Sequence, residues 1–149
     1  MTDLRQFIHE QEALGRVERV SEPLDASGEA SRVLAQRQGR IVILENVIGY
    51  DAPVVAGLTG SRELMAAAIG ASPKDAVRVL ADRIDHPGEV RVIRSGAFLE
   101  NEVSGSDLDL GSLVPILRFD PGSKHPYTSS SVIVARSEGH GPNLSFHRM

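Results

Sequence analysis

Four consecutive apolar residues, Ile41-Val42-Ile43-Leu44, set between Arg40 and Glu45, constrain this chain more than any other segment. A strand with one wet face alternates apolar and polar side chains, and this run has no polar position to turn toward water. It reads as a strand buried on both faces, the pattern of an inner strand with helices packed over it.

The neighbouring segments supply those helices. Asp3 can cap a helix whose Leu4, Phe7, Ile8 and Leu14 fall near one face, and Gly15 is a natural residue to end it. Val17-Glu18-Arg19-Val20 alternates as a half-buried strand would. A second helix is expected from about Ser27 to Gln38, with Ala30, Val33 and Leu34 inward and Gly39 stopping it. After the buried run, Glu45 to Asp51 turns the chain, and Pro53 to Gly57 reads as the next strand. Ser61 caps a helix through Ile69, and Ser72-Pro73 opens another through Ile84, with Ala76, Val77, Leu80 and Ile84 at helical spacing.

From residue 89 the texture changes. Val90–Ile93, Ala97–Val103, Ser129–Ala135 and Leu144–Met149 read as strands between loops rich in Gly and Pro. The expected fold class is α+β, with α/β texture over residues 1–105 and β texture over 106–149.

Composition removes several classes of function. The chain has 149 residues, 41% hydrophobic and 24% charged, which suits an ordinary globular core. Its net charge of −4, with no basic stripe, argues against nucleic acid as a partner. The absence of cysteine excludes disulfides, thiolate metal sites and a cysteine nucleophile. The first residues, Met1-Thr2-Asp3-Leu4-Arg5, lack the layout of a signal peptide, and no apolar run approaches the roughly 20 residues of a membrane span. The expectation is a soluble, cytoplasmic protein.

The most unusual polar pattern is Pro142-Asn143-Leu144-Ser145-Phe146-His147-Arg148-Met149. An asparagine amide oxygen suits hard cations such as magnesium or manganese. On an extended strand Asn143, Ser145 and His147 would share one face, with Phe146 and Arg148 on the other. Arg148 offers a planar fork to a carboxylate or phosphate. The plainer reading is a polar strand end following a turn.

Other candidates are weaker. In Asp120-Pro121-Gly122-Ser123-Lys124-His125-Pro126-Tyr127 the Ser, Lys and His could meet an anion, or the stretch is a solvated loop. Ser129-Ser130-Ser131 lacks the glycines that let amides converge on a phosphate. Gly57-Leu58-Thr59-Gly60-Ser61 could hold an anion at a helix start, but reads better as a structural strand-to-helix turn. Glu45-Asn46 is a ligand site or, more ordinarily, a turn. His9, His86 and His140 lack metal-ligand spacing and are expected to face solvent.

Taken in order, these segments resemble the amino-terminal third of the UbiD family, decarboxylases that use prenylated FMN. Asp3-Leu4-Arg5-Gln6-Phe7-Ile8 with Leu14-Gly15-Arg16-Val17-Glu18-Arg19-Val20 is similar to the family's first helix and strand. Ile43-Leu44-Glu45-Asn46-Val47-Ile48-Gly49 resembles its F-E-N-V-x-G segment, with Leu44 where Phe is common. Pro53 to Arg62 resembles the strand and turn that follow. Leu113-Val114-Pro115-Ile116-Leu117, Pro121-Gly122 and Pro126-Tyr127 look like the run into the flavin-binding domain. Most specific is Asn143 with Arg148 in the setting Asn-x-x-x-x-Arg-Met. Family members often carry Gly where Ser145 stands and Tyr where His147 stands.

The resemblance implies an amino-terminal α/β domain (1–105) and the first strands of a split β-barrel flavin-binding domain (106–149). It implies a non-oxidative carboxy-lyase acting on aromatic or α,β-unsaturated acids with prenylated FMN, Mn2+ or another divalent cation, and potassium. It makes Asn143 the metal ligand, Phe146, His147 and Arg148 the cofactor-lining residues, and Arg148 a catalytic residue. A flavin prenyltransferase would supply the cofactor, and a homo-oligomer is implied. The family's later histidine, metal-binding glutamate and acidic proton donor have no counterparts in these 149 residues. The chain alone is therefore expected to be inactive. The alternative is a non-catalytic paralogue or subunit, an interaction module completed by another chain through an unpaired strand edge.

Overall fold

The computed structural model describes residues 3–88, 92–106, 108–120, 122–128 and 130–148. The start of the strand expected at Val90–Ile93 falls outside them, as do Pro121, Ser129 and Met149 of the expected loop and strands. Among the described residues the elements run α1 (Leu4–Ala13), β1 (Val17–Val20), α2 (Glu29–Ala35), β2 (Ile41–Leu44), β3 (Val54–Ala56), α3 (Arg62–Ala68), α4 (Ala76–Asp85), a 3-10 turn (Ala97–Leu99), α5 (Leu110–Leu113), β4 (Val132–Ser137) and β5 (Gly141–Phe146). The fold is mixed α+β, with one sheet ordered β1-β2-β3 and a second made of β4 and β5.

β2 is buried along its whole length, as its unbroken apolar run requires. The Ile41 amide donates to the Arg16 carbonyl at 3.0 Å and the Glu45 amide to the Val20 carbonyl at 2.9 Å. Both bonds advance in the same sense along the two strands, so β1 and β2 are parallel, with α2 as the crossover between them. A further parallel bridge joins Leu24 to Val47 beyond the strand ends.

The chain forms two compact units and passes between them within each of β1, β2 and β3. The first unit comprises Met1–Glu18, Gln38–Val42 and Val55–Leu110. Its buried apolar residues are Ile41, Val42, Leu64 and Ala66. The second comprises Arg19–Arg37, Ile43–Val54 and Gly111–Met149, with Val20, Leu24, Ala30, Ile43, Leu44, Val47 and Leu117 buried.

Local chemistry sets the helix ends. The Asp3 carboxylate accepts from the Gln6 amide at 2.9 Å and the Ser61 hydroxyl from the Leu64 amide at 3.1 Å, each satisfying an amide that the first turn leaves unpaired. α2 begins later than its pattern suggests because the Asp25 side chain accepts from the Ser27 amide and holds that stretch as a turn. α4 likewise begins at Ala76: Ser72 caps the Asp75 amide at 3.3 Å, and residues 73–75 form a turn before the helix settles. In α1 the buried side chain is Gln11, whose amide oxygen accepts from Arg16 Nη1 at 3.0 Å, while Leu4 and Leu14 stay exposed.

Two expectations change. Residues 92–103 form no strand: Val92 and Ile93 are exposed, and Ala97–Leu99 is a 3-10 turn. β-branched residues favour a pleated, half-buried surface, and with no ladder partner among the described residues that preference has nothing to act on. The apolar stripe of α4, Val77, Leu80 and Ile84, is exposed, so helical spacing there marks a face without marking its burial.

Gly57, which leaves β3, adopts φ +77, and a Cβ built there would lie 2.1 Å from the Arg40 carbonyl oxygen. Gly15 has φ +68 but open space around it. Gly15→Ala is expected to cost about 1–2 kcal/mol from the left-handed backbone alone. Gly57→Ala should cost clearly more, because backbone must move as well. Urea midpoints at unchanged slope measure both, and equal losses would contradict the close approach.

Candidate functional site

The site expected from the sequence lies on the β4–β5 hairpin, where the antiparallel register pairs Val132 with Phe146, Ile133 with Ser145, Val134 with Leu144 and Ala135 with Asn143. The three residues of the connecting loop include Gly139 at φ +80, the left-handed position that such a loop requires. Directly paired residues point to the same face, so Asn143 and Ser145 share a face with Ala135 and Ile133. Leu144 and Phe146 share the other with Val134 and Val132. The alternation read from the sequence is present in the strand, though β4 starts three residues later than expected and β5 starts at Gly141.

The two faces differ. Ile133 and Ser145 are half-buried, whereas Leu144 is 66% and Phe146 80% exposed. Asn143, His147 and Arg148 are exposed as well. The His147 amide donates to the Ser131 carbonyl at 3.4 Å, extending the ladder one step past β5. Phe146, His147 and Arg148 follow one another at the strand end, and Asn143 lies back toward the turn. Five extended residues span on the order of 17 Å.

The guanidinium of Arg148 lies over the ring of Tyr127, with Cζ 4.9 Å from the centroid, and the ring of Phe119 stands 6.1 Å from that of Tyr127 at 42°. Sequence reasoning placed Tyr127 in a loop and missed this stack. No periodicity links a loop aromatic to a distant strand end, so the signal is absent from any local pattern.

Several of the remaining candidates enter local hydrogen bonds. In the loop before Tyr127 the Asp120 carboxylate accepts from the Gly122 amide at 2.9 Å, the Ser123 hydroxyl donates to the His125 carbonyl at 2.9 Å, and Arg118 Nη2 donates to the Lys124 carbonyl at 3.4 Å. The Ser131 hydroxyl pairs with Thr128 Oγ1 at 2.7 Å. His9, His86 and His140 are exposed, and no group of three or more His, Asp or Glu among the described residues gathers as a metal site.

Glu45 and Asn46 are not a turn but the extended link between β2 and the parallel bridge at Val47, with the turn following at residues 48–49. The Asn46 carbonyl accepts from the Leu24 amide at 3.1 Å. The Glu45 carboxylate accepts from the Ser21 hydroxyl at 2.5 Å and from Arg19 Nη1 at 2.9 Å. The Ser21 hydrogen bond, then the Arg19 hydrogen bond, hold the Glu45 carboxyl below its ordinary 4.5 against an opposing effect of desolvation, with the Arg19 charge adding to the lowering. Two clefts stand apart from the hairpin residues. One of about 750 Å³ in the first unit is lined by Phe7, Glu10, Leu58, Ile69, Arg83 and His86 among others, and one of about 470 Å³ in the second by Asp25, Ser27, Glu29, Arg32 and Phe119 among others. Neither contains Asn143, Phe146, His147 or Arg148.

Residues 8–84 match the family model described as the 3-octaprenyl-4-hydroxybenzoate carboxy-lyase N-terminal domain. Over 145 residues, 97% of the chain, the sequence is 30% identical to anhydromevalonate phosphate decarboxylase of Methanosarcina mazei, covering 32% of that protein. The fold matches the UbiD-class enzyme HmfF of Pelotomaculum thermopropionicum in complex with FMN at a TM-score of 0.91 and 31% identity, over 97% of this chain and 33% of that one. An evolved dimeric form of HmfF in complex with prFMN matches at 0.92 and 30% identity, over 99% and 35%. The chain thus spans about a third of the length of the relatives it matches.

The Glu45 network carries a pH signature. Because its folded-state carboxyl titrates below 4.5, its stabilisation is complete above that value and fades as the pH falls through the lowered one. Glu45→Gln should be less stable than the unaltered chain at about pH 6, and the difference should shrink as the pH falls below the ordinary carboxyl value. Thermal melts across that range check this; a constant difference would contradict the network.

Proposed function

Because the chain belongs to the UbiD carboxy-lyase family, we propose that it forms the amino-terminal part of a non-oxidative decarboxylase that removes CO2 from an aromatic or α,β-unsaturated acid using prenylated FMN and a divalent metal. The observation that carries this reading is the likeness, over 97–99% of the chain, to a UbiD-class enzyme in complex with FMN and, in an evolved form, with prFMN. In this reading residues 106–149 open the split-barrel flavin domain, and β4 and β5 are its first strands.

The residues present fit the group they would hold. Asn143 offers an exposed, neutral amide oxygen, the donor type hard cations such as Mn2+ accept, and carboxylates from the rest of the enzyme would complete the shell. Potassium would be a second cation. Phe146 and His147 line the cofactor beside Arg148. When bound, prenylated FMN supplies the electron sink for the carbanion character that CO2 loss leaves behind. Arg148 is the catalytic residue of this chain. Its fork holds the substrate carboxylate in two parallel hydrogen bonds and, by its charge, favours the ionised form of a carboxyl partner supplied from beyond these residues. A flavin prenyltransferase supplies the cofactor, the enzyme works in the cytoplasm, and it assembles as a homo-oligomer, consistent with the dimeric HmfF form.

A second reading, a non-catalytic module completed by another chain, is favoured by the exposed apolar face of Val134, Leu144 and Phe146. The two readings separate on catalysis. In the enzyme containing this sequence, loaded with prenylated FMN and Mn2+ and offered a panel of aromatic and unsaturated acids, CO2 release is expected. Arg148→Ala should lower turnover by at least about 100-fold with the fold intact. Undiminished turnover would remove Arg148 from the chemistry, and no CO2 release by the unaltered enzyme would favour the module. The 149-residue chain alone, incubated with the same cofactor and metal and then desalted, should retain no flavin absorbance. Stoichiometric retention would contradict the proposal that flavin binding needs residues outside these 149.

A further inference from the structure

We propose that Tyr127 is the positioning residue for Arg148, holding the guanidinium flat by its ring face so that the in-plane N–H donors stay open to a carboxylate. The proposal rests on the decarboxylase reading only for what the carboxylate is.

Arg148 is exposed, and among the described residues no hydrogen bond or ion pair engages its guanidinium. A long side chain in that state samples many rotamers, and a group that must meet a planar anion in two parallel bonds is poorly served by that freedom. An acidic partner would restrain it but would occupy the donors and compete with the substrate. An aromatic face restrains it differently: the ring quadrupole attracts the cation from above, while the five N–H bonds radiate in the plane and none is used. The observed contact places the Arg148 Cζ over the Tyr127 ring, 4.9 Å from its centroid.

Tyr127 can serve as a platform because it is itself held. It is half-buried, and the Phe119 ring packs against it at 6.1 Å in a tilted arrangement that aromatic pairs favour. The backbone before Arg148 is pinned by the His147 amide bond to Ser131. Both ends of the stack are therefore anchored, one through the ladder and one through the aromatic pair.

The test uses the 149-residue chain with 15N-labelled arginine and benzoate as the probe carboxylate. In the unaltered chain and in Tyr127→Phe, the Arg148 δ-CH2 and Nε–H signals should lie upfield from the ring current, and benzoate should shift the Nε–H. In Tyr127→Leu, with its backbone amide spectrum otherwise unchanged, the upfield shift should vanish and benzoate binding should weaken roughly two- to fivefold. Phe119→Leu is a second variant, expected to reduce the ring-current shift with Tyr127 in place. Absence of the shift in the unaltered chain would overturn the stack. A benzoate titration of Tyr127→Leu that superimposes on the unaltered one would overturn the positioning role. A ring-current shift without any benzoate response would contradict the carboxylate role given to Arg148, a failure distinct from loss of the stack.

Discussion

The parallel ladder between β1 and β2 is the constraint on which the rest of this structure depends. β2 has no polar side chain, so both its faces must be covered, and a parallel pair needs a crossover long enough to carry a helix. α2 is that crossover. Deleting part of a fully buried side chain such as Leu44 removes transfer energy and leaves a cavity, a loss of about 2–5 kcal/mol. That is a large share of the 5–15 kcal/mol that holds a typical domain folded.

The β4–β5 hairpin follows a different logic. Its half-buried face carries Ile133 and Ser145, while the opposite face leaves Leu144 and Phe146 open. The residues with the chemistry in question sit on this weakly covered element. The exposed apolar side chains of Leu144 and Phe146 lie on one face of β5, and the Asn143 amide lies on the other. The Arg148 guanidinium lies over the Tyr127 ring, a contact between a strand end and a loop.

What the sequence made legible was local. The buried run of β2, the Asp3 and Ser61 caps and the alternation of Asn143 against Leu144 each arise from neighbours in the chain, so pattern and structure agree. Where the outcome depended on distant partners, pattern was insufficient. Val92 and Ile93 are β-branched but have no ladder to join among the described residues. Val77, Leu80 and Ile84 have helical spacing yet stay exposed among the described residues. The Tyr127–Arg148 stack and the Ser21–Glu45–Arg19 network bridge residues far apart in sequence, which no local period encodes. Membership of the family was legible from order and spacing of motifs; the geometry that would let Arg148 act was not.

Anomalous diffraction at the manganese edge, from crystals of the enzyme containing this sequence with prenylated FMN bound, tests the central claim most directly. The account predicts a manganese peak in coordination distance of Asn143 Oδ1, with the flavin ring lying against Phe146, His147 and Arg148. A manganese peak remote from Asn143, or a flavin bound away from β5, would contradict it.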